Sequence, residues 1–351
     1  MKPVRVAVVG CGHLGAIHAR LLSARPDAAL VAVVDPSPLA VGRVAAEYGC
    51  QSLSAPESLP GMVDAVVVAA PTGLHADVSL PLLEAGIDLL VEKPIATSTV
   101  EAQSIRDIAA RRGRVVAVGH VERFNPAWRE AVVGVEGVIA VTARRMAPFT
   151  FRSLDVGVVL DLMIHDIDLV LSLDPGPLEN VEAVGVVATG GHEDAVRARL
   201  RFASGLIADL SASRIAPGLD RSIEMWAETG FVSADFQTRR VTRTVPSAEV
   251  AGGGWAAHLV PSAEREGLKS SFFDRVLPTT VVEPPAANAI QMEHDDFFSA
   301  VRGRHDPLVS ATAGLDALRV AERILAKLRT VPLGTTSEVR RPLEERLKRA
   351  A

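Results

Sequence analysis

The stretch Asp161-Leu162-Met163-Ile164-His165-Asp166-Ile167-Asp168 sets acids around one histidine inside an apolar run from Gly157 to Leu171. On a helix of 3.6 residues per turn, Asp161, His165 and Asp168 fall at i, i+4 and i+7 and share one face. A carboxylate one turn from an imidazole orients the ring and stabilises its protonated form, so the stripe is a ready acid–base unit. A stripe that only faced water would more often carry Lys and Glu. Lys93 is the second candidate. It follows the apolar run Ile87 to Val91 in the sequence Glu92-Lys93-Pro94, where proline restricts the lysine backbone. An ammonium there can hydrogen-bond a substrate hydroxyl and steady a developing alkoxide. Its plainer roles are pairing with Glu92 or reaching solvent.

A third stretch can hold phosphate. Gly10-Cys11-Gly12-His13-Leu14-Gly15 has the spacing G-x-G-x-x-G and follows the β-branched run Val6 to Val9. Gly10 permits a tight turn, Gly12 lets backbone approach a pyrophosphate, and Gly15 lets the next helix lie on the strand. His13 and Leu14 belong to the same turn, and the helix beginning at Ala16 points its amide-rich end at the phosphates. A second apolar strand, Ala29 to Val34, ends at Asp35, about 20 residues on, where an acid that binds ribose hydroxyls is expected. Asp35 should repel a 2′-phosphate, which favours NAD over NADP; capping the turn Asp35-Pro36-Ser37 is its bland alternative.

The elements that must position these groups alternate strand and helix up to Val118. Pro38–Tyr48, 76–84 and a helix from Thr97 or Ser98 to Gly113 read as helices; 64–70, 87–91 and 115–118 read as strands. Such alternation predicts a doubly wound parallel sheet with ligands beyond the strand carboxyl ends. Thr72, His75, Lys93 and His120 all lie just past strand ends. After Phe124 the pattern changes to β-rich segments, a helix over about 156–173 and hairpins at 196–213 and 222–236, which predicts an open, mostly antiparallel sheet. Arg197, Arg199 and Arg201 share its uncovered face. Residues 246–288 have no period and read as a long loop, 291–302 and 313–328 as helices, and the charged tail from Ser337 as a loosely held helix. The chain is therefore read as an α/β protein with a Rossmann domain over 1–121, a substrate and oligomerisation domain over 122–332, and a charged tail over 333–351.

Bulk properties fit this reading. A chain of 351 residues is long for one core, and 48% hydrophobic with 23% charged residues can build two. A net charge of −5 makes no electrostatic case for nucleic acid. Cys11 and Cys50 make neither a disulfide framework nor a metal site, so no metal is expected. A strand starting beside Met1 leaves no room for a leader, and no apolar run reaches the roughly 18 residues of a membrane helix, so a reducing cytoplasm and no membrane contact are expected.

Taken together, the glycine turn, Glu92-Lys93-Pro94 and Asp161-x-x-x-His165 resemble the Gfo/Idh/MocA family of sugar and inositol dehydrogenases over nearly the whole chain. The resemblance implies a Rossmann domain followed by an α/β domain whose open sheet often serves oligomerisation, here a dimer or tetramer. It implies NAD as cofactor, with Ala70, Pro71, Thr72, His75 and Glu92 completing the pocket and Lys93 touching both cofactor and substrate. His165 would be the proton acceptor, Asp161 its partner and a substrate ligand. Met163 stands where many members carry glycine, so the pocket beside this helix need not have the family shape. Gly119-His120-Val121-Glu122-Arg123-Phe124-Asn125-Pro126 further resembles the branch that oxidises the 3-hydroxyl of UDP-N-acetylglucosamine. Arg123, Arg144, Arg145 and Arg152 flank the site, as donors for a diphosphate would; Glu122 and Asn125 can bind sugar hydroxyls or an acetamido group. Inositol or another free sugar, a glycosidase that oxidises transiently, and a non-catalytic NAD-responsive binding protein remain alternatives.

Overall fold

A computed structural model describes residues 2–151, 153–303 and 305–333. The first sheet is built from β1 (Val4–Val9), β2 (Ala28–Val34), β3 (Gln51–Leu53), β4 (Ala65–Val68), β5 (Asp88–Val91) and β6 (Val116–Val118). Its order is β3-β2-β1-β4-β5-β6, and every pairing is parallel. The unbroken apolar runs of β1, β4 and β5 reflect burial on both faces. Helices α1 (His13–Ser23), α2 (Pro38–Tyr48), α3 (His75–Glu84) and α4 (Thr99–Arg112) make the crossovers. Ser98 caps α4 by accepting from the Glu101 amide, while Thr97 donates its amide and hydroxyl to the Glu101 carboxylate.

The chain then adds α5 (Pro126–Ala131), β7 (Val138–Met146), a π-helical turn at Val159–Met163 and α6 (Ile164–Leu171). A second sheet continues with β8 (Leu178–Val187), β9 (Ala195–Phe202), β10 (Ile207–Ser213), β11 (Asp220–Ala227), β12 (Gly230–Asp235) and β13 (Val241–Thr244). Short helices α7 (Ala248–Ala251), α8 (Ser262–Ser270) and α9 (Phe272–Arg275) precede β14 (Thr279–Val282), so the stretch read as an unbroken loop carries structure. The chain closes with α10 (Ala289–Val301), α11 (Ala311–Lys327) and β15 (Leu328–Pro332). The nine strands run β14-β13-β12-β11-β7-β10-β9-β8-β15, antiparallel except for β10 on β7 and β15 on β8. α6 and α11 cover one face. The other carries Thr142, Val184, Arg197, Arg199, Trp226 and Val281, with Arg199 paired to Asp209 at 2.7 Å.

The C-terminal elements return to the first sheet. Phe297 and Phe298 of α10 are fully buried among Val6, Val8, Leu22 and Val33. Leu315 and Leu318 of α11 join the core beneath β5 and β6, while Ala321 and Ile324 join the core of the second sheet. Val118 donates its amide to the Val309 carbonyl at 2.9 Å, so the returning chain also covers the edge at β6. The charged tail lies outside the described residues, apart from Leu333.

Candidate active site

The glycine turn is shaped by close approaches. Gly10 has φ of +98°, and a Cβ on it would lie 2.5 Å from the Ala69 carbonyl oxygen. A Cβ on Gly15 would lie 1.8 Å from the Gly10 carbonyl oxygen, so α1 rests directly on β1. Nothing lies within 4 Å of where a Gly12 Cβ would stand. That open approach, at a helix N-terminus without a side-chain cap, suits a pyrophosphate. Asp35 ends β2 with its carboxylate on the same turn, accepting from the Cys11 amide and the Ser37 amide at 2.8 Å each. It therefore caps its own turn, and its carboxylate keeps lone pairs for a further donor.

The turns after β4 and β5 are stapled together. The His75 Nε2 lies 2.9 Å from the Ala70 carbonyl and its Nδ1 2.9 Å from the Pro94 carbonyl. Burial pushes the His75 imidazole below its usual range, against the pull of the two carbonyls, and a neutral ring donates to one of them at a time. Pro71 leads into the turn Thr72–Leu74 on the same edge. Glu92 is buried beneath Gly119, where any Cβ would meet its Oε2 at 2.9 Å. Burial alone would raise the Glu92 carboxyl, but the hydrogen bond from His18 and the charges of His18 and Lys93 outweigh it and hold it low. His18 Nε2–H donates to the Glu92 carboxylate at 2.9 Å, and His18 Nδ1 lies within hydrogen-bonding distance of His294 Nε2, at 2.8 Å. A hydrogen-bonded chain thus ties β5, α1 and α10 at the base of the pocket.

Lys93 reaches across to the second domain. Its Nζ donates to the Asp161 carbonyl at 2.6 Å and approaches the Asp161 Oδ1 at 3.2 Å. Asp161 lies in the π-helical turn, whose wider winding moves it off the face that a regular helix would give it. The three-residue stripe is therefore split. Asp161 serves Lys93, Asp168 accepts from Arg123 Nε at 2.8 Å, and His165 Nδ1 is buried with no hydrogen-bond partner among the described residues. The expected carboxylate behind His165 is absent there; the ring of His120 meets it edge to face, with centroids 6.2 Å apart. Burial, then the positive charges of Lys93 and Arg145, push the His165 imidazole well below its ordinary value. It is thus a neutral base beside an ammonium.

The flanking residues are spent differently from the sequence expectation. Glu122 accepts from Arg145 Nη1 at 2.7 Å and from Asn125 Nδ2 at 2.9 Å, while Asn125 Oδ1 caps α5. Arg145 also grips Asp166, at 2.7 Å. Glu122, Asn125 and Arg145 thus form an internal network with protein partners, and Arg123 is paired to Asp168. Arg144 bonds Asp220 at the surface, and Arg152 lies outside the described residues. Met163 is fully buried in the core of the second domain. Sequence reasoning passed over two groups that shape the site, His18 and Glu193; it set His120 on the ligand edge without a role. His18 had a signal, three residues beyond Gly15 on the inner face of α1. Glu193 had none, since it reaches the π-helical turn only through folding, where its Oε1 accepts from the Val159 amide at 3.1 Å.

Fold and site together define a dinucleotide-dependent oxidoreductase with a separate C-terminal domain. Residues 4–120 match the family described as "Oxidoreductase family, NAD-binding Rossmann fold", and residues 131–233 match the C-terminal domain of the same group. The chain belongs to the Gfo/Idh/MocA oxidoreductase family, whose dehydrogenases act on CH–OH groups. It is 33% identical over 313 residues to the UDP-N-acetylglucosamine 3-dehydrogenase of Acidithiobacillus ferrooxidans, covering 87% of this chain and 94% of that one. A solved structure of that enzyme superposes with a TM-score of 0.81 at 29% identity, over 93% of this chain and 98% of the other. The inositol 2-dehydrogenase of Rhizobium meliloti is 29% identical over 337 residues, 91% of this chain and 95% of that protein. The cofactor is accordingly NAD, and the glycine cradle and Asp35 fit it.

Proposed function

We propose that this chain oxidises the 3-hydroxyl of UDP-N-acetylglucosamine to a ketone, as chemistry on the way to amino sugars of lipid A type. The observation that carries the dehydrogenase reading is the contact of Lys93 from the first sheet's edge with Asp161, one turn before His165, whose Nδ1 is buried. Asp161 holds the ammonium, Lys93 donates to the reacting oxygen and stabilises its developing negative charge, and neutral His165 removes the hydroxyl proton. Bound NAD supplies the oxidising power by accepting a hydride. Gly10, Gly12, His13, Leu14 and Gly15 cradle its pyrophosphate, Asp35 takes the adenosine ribose and disfavours NADP, and Ala70, Pro71, Thr72, His75, Glu92 and Lys93 wall the nicotinamide side. The nucleotide-sugar substrate is supported by the relative at 33% identity. Arg152 is assigned to the substrate anion. Glu122, Arg123 and Asn125 act on the substrate by holding the wall, given their protein partners.

The competing substrate is an inositol, favoured by the 29% relative that covers 91% of this chain. Absorbance of NADH, followed on mixing protein and NAD with UDP-hexosamines, UDP-hexoses and inositols, separates the two. Turnover with UDP-N-acetylglucosamine alone is the expected result; turnover with inositols alone replaces the substrate, and no turnover with any sugar removes the dehydrogenase reading. The uncovered face of the second sheet, with Val184, Trp226 and Val281 exposed, is assigned to a homo-oligomer, and the unpaired cysteines fit a reducing cytoplasm.

A further inference from the structure

Oxidising a CH–OH carbon releases a hydride, which goes to the dinucleotide, and a proton, which the protein must discharge. The discharge route argued here rests on His165 being the base. His165 Nδ1 is buried and unpartnered among the described residues, and Asp161, the carboxylate one turn away, is bonded to Lys93 instead. The group that meets the ring is His120, at 6.2 Å between centroids and an interplanar angle of 89°. His120 is itself fully buried, with neither Nδ1 nor Nε2 hydrogen-bonded to any described group. A neutral imidazole carries one donor and one acceptor, and each left unmade in a buried place is costly. A phenyl ring would fill this space without that cost.

Arg123 donates its amide to the His120 carbonyl at 3.1 Å and its Nε to Asp168 at 2.8 Å, which ties Asp168 to the His120 segment; burial lowers the His120 imidazole and the Asp168 charge opposes that. Asp168 and Arg123 line a cleft of about 700 Å³ with Ser310, Thr312, Asp316 and Arg319. The Asp316 and Arg319 side chains are nearly half exposed, so the cleft opens to water. Burial keeps both imidazoles below their ordinary range, and the titratable and charged groups facing His165 are Lys93, Arg145, His120 and Arg221. Both rings are therefore neutral at rest.

We propose that His120 carries the reaction proton away from His165, through one water between the rings, toward Asp168 and the cleft. The two rings supply three unpartnered nitrogens, enough to hold such a water. Atoms balance at each step: the substrate O–H breaks as His165 gains an N–H, and that ring gives its other N–H proton to the water as the water gives one of its own to His120. His120 then loses its opposite N–H as the Asp168 carboxylate gains an O–H, which passes the proton to water in the cleft, so only N–H and O–H bonds change.

The test follows NADH absorbance and proton release to an indicator dye together, in the first turnover, in weak buffer. In the parent protein the two should rise in one phase. In His120→Phe, NADH should still form, with proton release at least ~100-fold slower, the low side of what a positioned acid–base contributes. Added imidazole should restore it, a rescue that a packing role would not give. NAD affinity should be unchanged. Simultaneous release in His120→Phe without imidazole overturns the relay and leaves the base assignment standing. If that variant does not fold, His120→Gln carries the same readouts. His165→Asn judges the base: loss of the NADH burst is expected, and a retained burst overturns both base and relay.

Discussion

Lys93 is the side chain with most to do. It leaves a strand of one domain and is held by a carbonyl and a carboxylate of the other. Its charge is also the largest electrostatic influence depressing His165, after burial. Lys93→Ala should lower kcat by ~10²–10³, the scale of losing one preorganised donor, while the Kd for NAD stays within about twofold. The same change should move the pH profile. Since the folded His165 value lies well below 6.5, kcat/KM should hold level as pH falls to 6.5 and drop only beneath it. Removing the ammonium lets the His165 value rise, so the acid limb moves to higher pH. Stability follows the same sign: it is kept above 6.5 and falls in more acid solution, where the unfolded imidazole protonates first. An acid limb that does not move in Lys93→Ala would separate the two residues electrostatically.

At the scale of elements, the π-helical turn decides which groups meet, and it is anchored from β9 and β10. The Glu193 carbonyl and carboxylate accept from the Val158 and Val159 amides. Asp194 accepts from Arg214 Nε at 2.7 Å, and Arg214 reaches on to the Val156 carbonyl at 2.9 Å. Burial would raise the Asp194 carboxyl, but the Thr189 and Ala188 amides and Arg214 hold it at about 2, against an ordinary 3.8. That depression contributes about 2 kcal/mol, present above pH 4 and lost as pH falls toward 2. Asp194→Asn should thus destabilise by about 2–3 kcal/mol at pH 7, with the gap to the parent protein closing in acid. Urea midpoints at pH 7 and pH 3 check this. A gap independent of pH would mean that packing, not charge, holds the turn.

At the scale of the molecule, the N-terminal sheet is completed by residues almost 300 positions along the chain. Phe297 packs with β1 and α1, and His294 bonds His18. Phe297→Ala should cost about 3–5 kcal/mol and lower NAD affinity, because the cavity opens under the helix that points at the pyrophosphate. Calorimetry and NAD titration read both effects; a loss under about 1 kcal/mol would make α10 an appendage.

Much of this was legible in the chain by itself. The parallel sheet, its ligand edge, the glycine turn, Asp35 and the place of Lys93 all come from local patterns: apolar runs of strand length, turn residues and caps that act within a few positions. Strands β8, β13 and β15 escaped because an isolated apolar run says little until a partner strand gives it an edge. The stripe of Asp161, His165 and Asp168 was found by residue type and misjudged in geometry. Spacing arithmetic assumes a uniform 3.6 residues per turn, and the π-helical turn adds to it just where Asp161 sits. The destination of each charge was likewise beyond the sequence. Asp161 goes to Lys93, Asp168 to Arg123, Glu122 to Arg145, each across 23 to 68 positions. Local chemistry determined which groups the chain owns and which edge bears them. Tertiary packing decided who pairs with whom, because a buried charge takes the partner that folding brings within reach, whatever its distance in sequence.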